Sequence, residues 1–358
     1  MTATTLPLGP QHPVLVEPLQ LKLVLRDEVV QEALPRLGYV HRGLEGLVRR
    51  KDFEQMCRVA ERVCGICSAI HGMTYCRALE ALLGVMPPDR AEHLRVAWSE
   101  LHRMQSHLLW LGLLAEAMGF ESLFMQVWRV REKVMDLLEL TAGNRVIVSV
   151  NRIGGVRRDV TDRQVQEVNR VLERVERRFR DLEGALLEDR AVRERLLGRG
   201  TISSEQALSL GLVGPTLRAC GVAQDVRMTG YSAYARGGFE PVTETGGDCL
   251  ARTRVRFREV LQSAGLVRNA LEGLPEGDTS VRVRGKPEGE ILVRAEQPRG
   301  EVVYYVRANG EKQLERMKIR TPTFANLAAL PELLPGLELA DVPLVLLSLD
   351  PCIACTER

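Results

Sequence analysis

An α+β architecture, with a core of long bundled helices flanked by an N-terminal β-hairpin and a small antiparallel sheet, follows from three features of the sequence. Near the start, LQLKLVLRDEVVQEALPRLGYV alternates apolar and polar residues on either side of Arg26 to Glu28, the period of two expected of paired strands. From residue 51 to about 275 the apolar spacing becomes helical, with repeats at three and four residues. Residues 280–310, SVRVRGKPEGEILVRAEQPRGEVVYYVRANG, then return to β-branched alternation broken by Gly and Pro, which predicts three short strands.

The first helical run spans residues 51–85 and ends at PPDR, where proline interrupts the pattern. A second helix begins near Ala91, and its segment HLRVAWSELHRMQSHLLWLGLLAEAMG is apolar on more than one face, as a central core helix must be. A third covers roughly residues 121–141 and a highly charged fourth about 161–197, which predicts a bundle of these four long helices. SEQALSLGLVGPTLRACG and GDCLARTRVRFREVLQSAGLVRNALEGL read as further helices around a Gly-rich, Tyr-containing loop, and a short helix over 322–330 precedes an apolar tail. With no internal repeat or low-complexity linker, residues 1–358 form one domain: a hairpin segment over 1–50, a helical core over 51–275, a small sheet over 280–310 and a C-terminal segment over 320–358 that delivers the last cysteines.

The 358 residues are 45% hydrophobic and 27% charged, enough apolar content for a large core. The 49 basic and 47 acidic residues are interspersed, so no basic stripe marks a nucleic-acid partner. The N-terminus lacks a basic segment followed by an apolar one, which predicts a protein made and kept in the cytosol. Its most apolar stretches fall short of the ~20 residues that cross a bilayer, so any membrane association is expected to run through partners. Eight cysteines in such a chain argue for metal or redox use of some of them rather than a disulfide framework. Cys57, Cys76, Cys220 and Cys249 are scattered and read as buried, inert thiols.

The other four form two C-x-x-C pairs, Cys64 with Cys67 in RVCGICSAIHG and Cys352 with Cys355 in DPCIACTER. One such pair alone fits a redox dithiol, half a zinc site or coincidence. Two pairs at opposite ends of the chain do not fit a compact structural zinc module, nor the locally clustered cysteines of most iron-sulfur sites. Four thiolates suit a soft transition metal, and ligands drawn from both chain ends let the folded core impose the geometry. His71, four residues after Cys67, lies one turn on along a helix, within reach of a thiolate as a hydrogen-bonding neighbour.

These two motifs resemble the signatures of the nickel-iron hydrogenase large subunit, R-x-C-G-x-C-x-x-x-H and D-P-C-x-x-C-x-x-[HR]. GPQHP (9–13), GYVHRGLE (38–45), ELHRMQSHLLWLG, REKVMDLLELTAGNR, NRIGGVRRD and GDCLARTRVRFREVLQS are similar to the quinone-site subunit of respiratory complex I, a relative of that family. Together they resemble the energy-converting, membrane-bound hydrogenases from Leu8 to Arg358. The resemblance implies the hydrogenase large-subunit fold, with Cys64 and Cys352 as terminal nickel ligands and Cys67 and Cys355 bridging nickel to iron. It also implies carbon monoxide and cyanide on the iron, supplied by maturation proteins. The reaction implied is reversible reduction of protons to dihydrogen with electrons from ferredoxin or a linked dehydrogenase, a heterolysis in which a nearby base takes the proton.

For that base the resemblance points to a thiolate and then to Glu17, with Glu45 as the second choice. His12, His41 and Asp136 match positions near the quinone cavity of the relative, and Arg320 in RTPTF is placed near the diatomic ligands, although Thr323 stands where hydrogenases carry an arginine. The partners implied are a small iron-sulfur subunit bearing the cluster that this chain lacks, a ferredoxin-like subunit and the membrane subunits of an ion-pumping complex at the cytoplasmic face of the cell membrane. Ending at Arg358, the chain is expected to be either a processed form or a type made without a C-terminal extension. The alternatives are a complex I-like quinone-pocket subunit without nickel, and a zinc-stabilised scaffold.

Overall fold

The computed structural model describes the chain except residues 1–2, 13–14, 16 and 237–238 and the side chain of Arg236. Pro13 of GPQHP and two glycines of the Gly-rich loop therefore lie outside the described residues. The N-terminal sheet pairs β1 (Thr4–Leu8), β2 (Gln20–Arg26) and β3 (Val29–Arg36) antiparallel in that order. Leu21, Leu23 and Leu25 face inward from β2, as its alternation dictates. Asp27 and Glu28 turn the hairpin with φ of 51° and 63°, the left-handed pair that a two-residue turn demands. The sequence missed β1.

The first helical run is two helices, α1 (Phe53–Glu61) and α2 (Ser68–Leu83), because Cys64 to Cys67 breaks it. Asp52 caps α1 by accepting from Gln55 N at 2.6 Å, a contact that stabilises a helix start by about 1 kcal/mol. After Pro88 comes α3 (Asp89–Ala117), then α4 (Glu121–Ala142), which ends at a left-handed Gly143. The two-residue strands β4 (Asn151–Arg152) and β5 (Gly155–Val156) form a small hairpin. A Thr161–Gln164 capping box opens α5 (Asp162–Asp181), whose Val168, Leu172, Val175 and Phe179 form one buried stripe. The charged run predicted to continue to Leu197 breaks at a π-turn (Gly184–Glu188) before α6 (Arg190–Leu196). Short helices α7 (Ser204–Ser209) and α8 (Gly214–Arg218) lead to α9 (Cys249–Glu272), capped by Asp248.

The bundle is made by α3, α4, α5 and α9, with Phe179 stacked on Phe257 at 4.1 Å between α5 and α9. That corrects the expected set: α1 and α2 leave the bundle, α2 packs on the second sheet, and α9 takes their place. That sheet is antiparallel, β6 (Glu288–Gln297), β7 (Gly300–Asn309) and β8 (Arg316–Arg320). It has the three strands predicted, but lies later than 280–310. Residues 280–287 contribute a single bridge at Ser280, and the third strand is 316–320. The tail runs through α10 (Pro322–Asn326), α11 (Leu330–Leu333), α12 (Val342–Ser348) and α13 (Ile353–Thr356). Trp110 Nε1 of α3 donates to Leu347 O at 2.6 Å and Arg252 Nε of α9 to Ser348 Oγ at 2.9 Å, so the bundle itself anchors α12. Among the described residues no helix is long and apolar enough to cross a membrane.

The tight β6–β7 turn holds Arg299 and Gly300 against Gly214. Gly214 has φ of +67°, and a Cβ there would lie 2.3 Å from Arg299 O. Gly214→Ala is therefore expected to destabilise the fold by roughly 2–4 kcal/mol, through the left-handed backbone and the backbone clash together. Denaturant unfolding measures this directly; an unchanged midpoint would contradict the close approach.

Candidate metal centre

Cys64 lies in the turn between α1 and α2, and Cys67 is the residue before α2; Cys352 precedes α13 and Cys355 lies within it. Folding brings the pairs together across 288 residues of sequence: Cys64 Sγ is 3.4 Å from Cys352 Sγ, and Cys67 Sγ is 3.6 Å from Cys355 Sγ. The sulfurs of Cys64, Cys67 and Cys355 all lie within 4.8 Å of one another. All four thiols are free and buried, and these separations far exceed the ~2.05 Å of a disulfide. Hydrogen bonds from Cys352, Cys355 and Cys67 pull the Cys64 thiol well below its ordinary range, while burial pushes Cys67 well above it. A second thiolate thus needs a cation beside it. The four soft donors around one focus fit a thiolate-bound transition-metal centre.

His71, on the first turn of α2, sets its Nε2 3.5 Å from Cys355 Sγ and its Nδ1 2.8 Å from the Tyr304 hydroxyl of β7. Burial lowers its pKa to about 4, so the ring is neutral, and burial holds Tyr304 well above its ordinary range. Tyr304 therefore stays a phenol that orients the ring. Glu17 lies against the cluster: Ile353 N and Ala354 N, between the two C-terminal cysteines, both donate to its Oε2, the second at 3.3 Å. Burial raises the Glu17 pKa and the neighbouring Cys64 adds to that, outweighing Arg299 and the two amides.

Glu45 is differently placed. Its carboxylate accepts from Lys318 Nζ at 2.7 Å, Ile319 N at 2.9 Å and Arg358 Nε at 2.9 Å. Although burial opposes ionisation, these donors together hold its pKa below the ordinary value. A carboxylate locked in this way clamps the last residue of the chain and makes a poor proton relay.

Arg320 is not brought to the sulfurs. At the end of β8 its side chain is 43% exposed and pairs with Glu301 at 3.3 Å. The buried guanidinium of the site is Arg299, which donates to Asp350 O at 2.8 Å, Asp350 Oδ1 at 2.6 Å and Ser106 Oγ at 3.2 Å. Burial opposes its charge, but Asp350 and the sulfurs of Cys352, Cys64 and Cys67 hold its pKa well above the ordinary value. Its only signal in the sequence was PRG, one of the Pro and Gly breaks in the predicted sheet. Thr323 has a separate task, its Oγ1 accepting from Cys352 N at 3.0 Å.

Two further residues close the site from quoted motifs whose roles the sequence did not disclose. Arg42 donates to Arg62 O at 3.0 Å, Val63 O at 2.8 Å and Ala354 O at 2.7 Å, which ties the two cysteine segments together. Glu357 accepts from Gly38 N at 2.6 Å and Val40 N at 2.5 Å. His12 and His41 are exposed, and Asp136 sits on the surface of α4 paired with Lys133 and Arg145.

Next to the site, His102 Nδ1 bonds Ile66 O at 3.1 Å and His107 Nε2 bonds Glu259 at 2.8 Å. Burial lowers both rings from 6.5 to about 4. Between those values the unfolded chain binds a proton and the folded one does not, so stability is present above pH 6.5 and lost as pH falls toward 4. The loss is on the order of 3 kcal/mol per histidine at most. A lower denaturation midpoint at pH 5 than at pH 7.5 is expected, with His102→Asn reducing the difference; a flat profile would contradict the burial.

The chain matches the family described as "Respiratory-chain NADH dehydrogenase, 49 Kd subunit" over residues 117–286 and 279–358, and that described as "Nickel-dependent hydrogenase" over 42–118. It is 38% identical to the carbon monoxide-induced hydrogenase of Rhodospirillum rubrum over the full length of both chains. To a subunit of the F(420)H(2) dehydrogenase of Methanosarcina mazei it is 36% identical, covering 98% of this chain and 96% of that one. It is 37% identical to the alpha subunit of the membrane-bound hydrogenase of Pyrococcus furiosus, over 99% of this chain and 87% of that one.

Proposed function

The chain belongs to the family that joins nickel-dependent hydrogenases to the 49 kDa subunit of respiratory NADH dehydrogenase, and from that membership we propose that it is the catalytic large subunit of a membrane-associated, energy-converting hydrogenase. It has the large-subunit fold of that enzyme class and interconverts protons and electrons with dihydrogen. The observation that carries this reading is the meeting of four buried, unoxidised thiols drawn from both chain ends.

Cys64, Cys67, Cys352 and Cys355 would hold a nickel-iron centre whose iron bears carbon monoxide and cyanide. When bound, that centre supplies the two-electron chemistry that neither thiol nor carboxylate possesses. The chain's own groups handle the proton and the charge. Arg299 places a fixed positive charge beside the sulfurs, which offsets part of the repulsion among thiolates. His71, held by Tyr304, fixes the orientation at Cys355. Glu17, with its carboxyl raised by burial, is poised to take a proton from the cysteine cluster at Oε1 or Oε2 and return it, because its pKa moves toward the working pH.

Electrons leaving a buried centre need a relay. Among the described residues no second cysteine cluster is present, so a small iron-sulfur subunit is the partner this reading requires. A ferredoxin-like subunit and ion-pumping membrane subunits complete the assembly, and maturation proteins install the metals. The complex lies at the cytoplasmic face of the cell membrane, with this chain attached through partners. The long match to the 49 kDa subunit supports one alternative, a quinone-pocket subunit without nickel. Metal analysis separates the two readings.

Purified complex is expected to contain one nickel per copy of this chain, with iron in excess from the clusters of its partners, and to show infrared bands of metal-bound carbonyl and cyanide; a matured complex without nickel overturns the hydrogenase reading. Cys67→Ser and Cys355→Ser should each lose nickel and hydrogen turnover. Glu17→Gln should keep both metals yet slow proton–deuterium exchange by roughly 10²-fold. Normal exchange in that variant would reassign the relay.

A further inference from the structure

Two of the cysteines that the sequence reads as inert are neighbours. Cys57 of α1 and Cys76 of α2 face each other with their Sγ atoms 3.7 Å apart, both free and both buried. A disulfide at about 2.05 Å requires those sulfurs to close by only about 1.7 Å. The two thiols are not equivalent. Cys76 is enclosed, and burial, reinforced by Cys57, raises its thiol well above the ordinary range. Cys57 instead lines a cavity of about 340 Å³ together with Glu54, Arg152, Arg157 and Arg282. All three arginines are exposed, so the cavity mouth carries three cations against one carboxylate. Such an entrance favours a small anion.

We propose that Cys57 and Cys76 form a dithiol–disulfide site, oxidised through the arginine-lined cavity by a small anionic disulfide. The Cys57 thiolate attacks one sulfur of the incoming disulfide. The S–S bond breaks, and the departing thiolate takes the proton that Cys57 gave up. Cys76 then attacks the Cys57 sulfur and expels the second thiol, which carries the Cys76 proton. Two protein thiols are oxidised to one disulfide, and one external disulfide is reduced to two thiols.

The placement gives the bond a consequence. α1 and α2 are the two walls of the turn that holds Cys64 and Cys67, and residues 57 and 76 bracket that turn on both sides. Oxidation therefore cross-links the walls of the metal-binding turn without consuming its ligands. The dithiol chemistry stands independently of the nickel reading; only its effect on turnover rests on it.

The test uses the full-length protein in its complex, held anaerobically with oxidised glutathione, quenched in acid, alkylated and digested with trypsin. The expected product joins the peptide of residues 52–58 to that of 63–77, with fragmentation placing the link at Cys76, and dithiothreitol reverses it. Its formation should slow roughly tenfold in Arg152→Gln/Arg157→Gln and should slow likewise at high salt. Cys76→Ser should stall with glutathione on Cys57. Three outcomes in the folded wild-type protein would overturn the proposal: both thiols alkylated singly, a permanent glutathione adduct on Cys57 without the cross-link, or a link from Cys57 to Cys64 or Cys67. Because the wild-type measurement decides the matter, a variant that fails to fold leaves the proposal testable.

Discussion

Thiol pairs 288 residues apart share one site only if something other than sulfur holds the chain ends together, because thiolates repel one another and thiols attract weakly. The buried ion pair of Arg299 with Asp350 performs that task. Asp350 stands in a left-handed conformation, φ 54°, which turns the chain toward Cys352. The same guanidinium also bonds the Asp350 carbonyl and Ser106 of α3, so one side chain joins the sheet, the central helix and the tail. Arg42 does the equivalent on the outer side, bridging Val63 and Ala354. Removing one partner from a buried pair of this kind costs about 3–5 kcal/mol, since the remaining charge is left without compensation.

Behind Arg299 the core is unusually polar. Arg103, Arg218 and Arg227 interlock with Glu100, Asp225, Glu259 and Glu296, all inaccessible to solvent or nearly so. Four acids face three arginines, and burial together with the neighbouring Asp225 pushes Glu296 up to about 7. Near neutral pH that carboxyl is thus the member of the network placed to carry a proton, which evens its charge. The arrangement makes α3 and α9 rigid supports, because each guanidinium fixes several partners at once. Rigidity here serves the site: α3 supplies Ser106 to Arg299 and Trp110 to the tail.

The eight cysteines fall into distinct environments. Four meet in one cluster beside a fixed positive charge, and of these the Cys64 thiol is pulled well below its ordinary range while the others are pushed above it. Cys57 and Cys76 meet each other rather than that focus, behind an arginine-lined cavity. Among the described residues Cys220 bonds to the Thr216 carbonyl and Cys249 accepts from Arg252, as packed side chains do. Spacing along the chain distinguishes the first group but cannot separate the second from the third, since residues 57 and 76 become neighbours only when α1 packs on α2.

The sequence by itself determined the local elements and the chemical type of the site. Alternation marked β2 and β3, helical spacing marked α3 and α4, and the two C-x-x-C motifs named the sulfurs before any fold existed, because local periodicity and ligand spacing are properties of neighbouring residues. Which helices share the bundle was a tertiary decision: α9 displaced the first helical run because α2 found its apolar partner in the second sheet. The charges around the sulfurs were decided the same way. Glu45 and Arg320 stand in suggestive motifs yet turn to Arg358 and Glu301, while Arg299, Arg42 and Tyr304 enter the site from distant segments. A side chain's electrostatic role depends on what packs against it across the chain, and burial creates that environment only after folding.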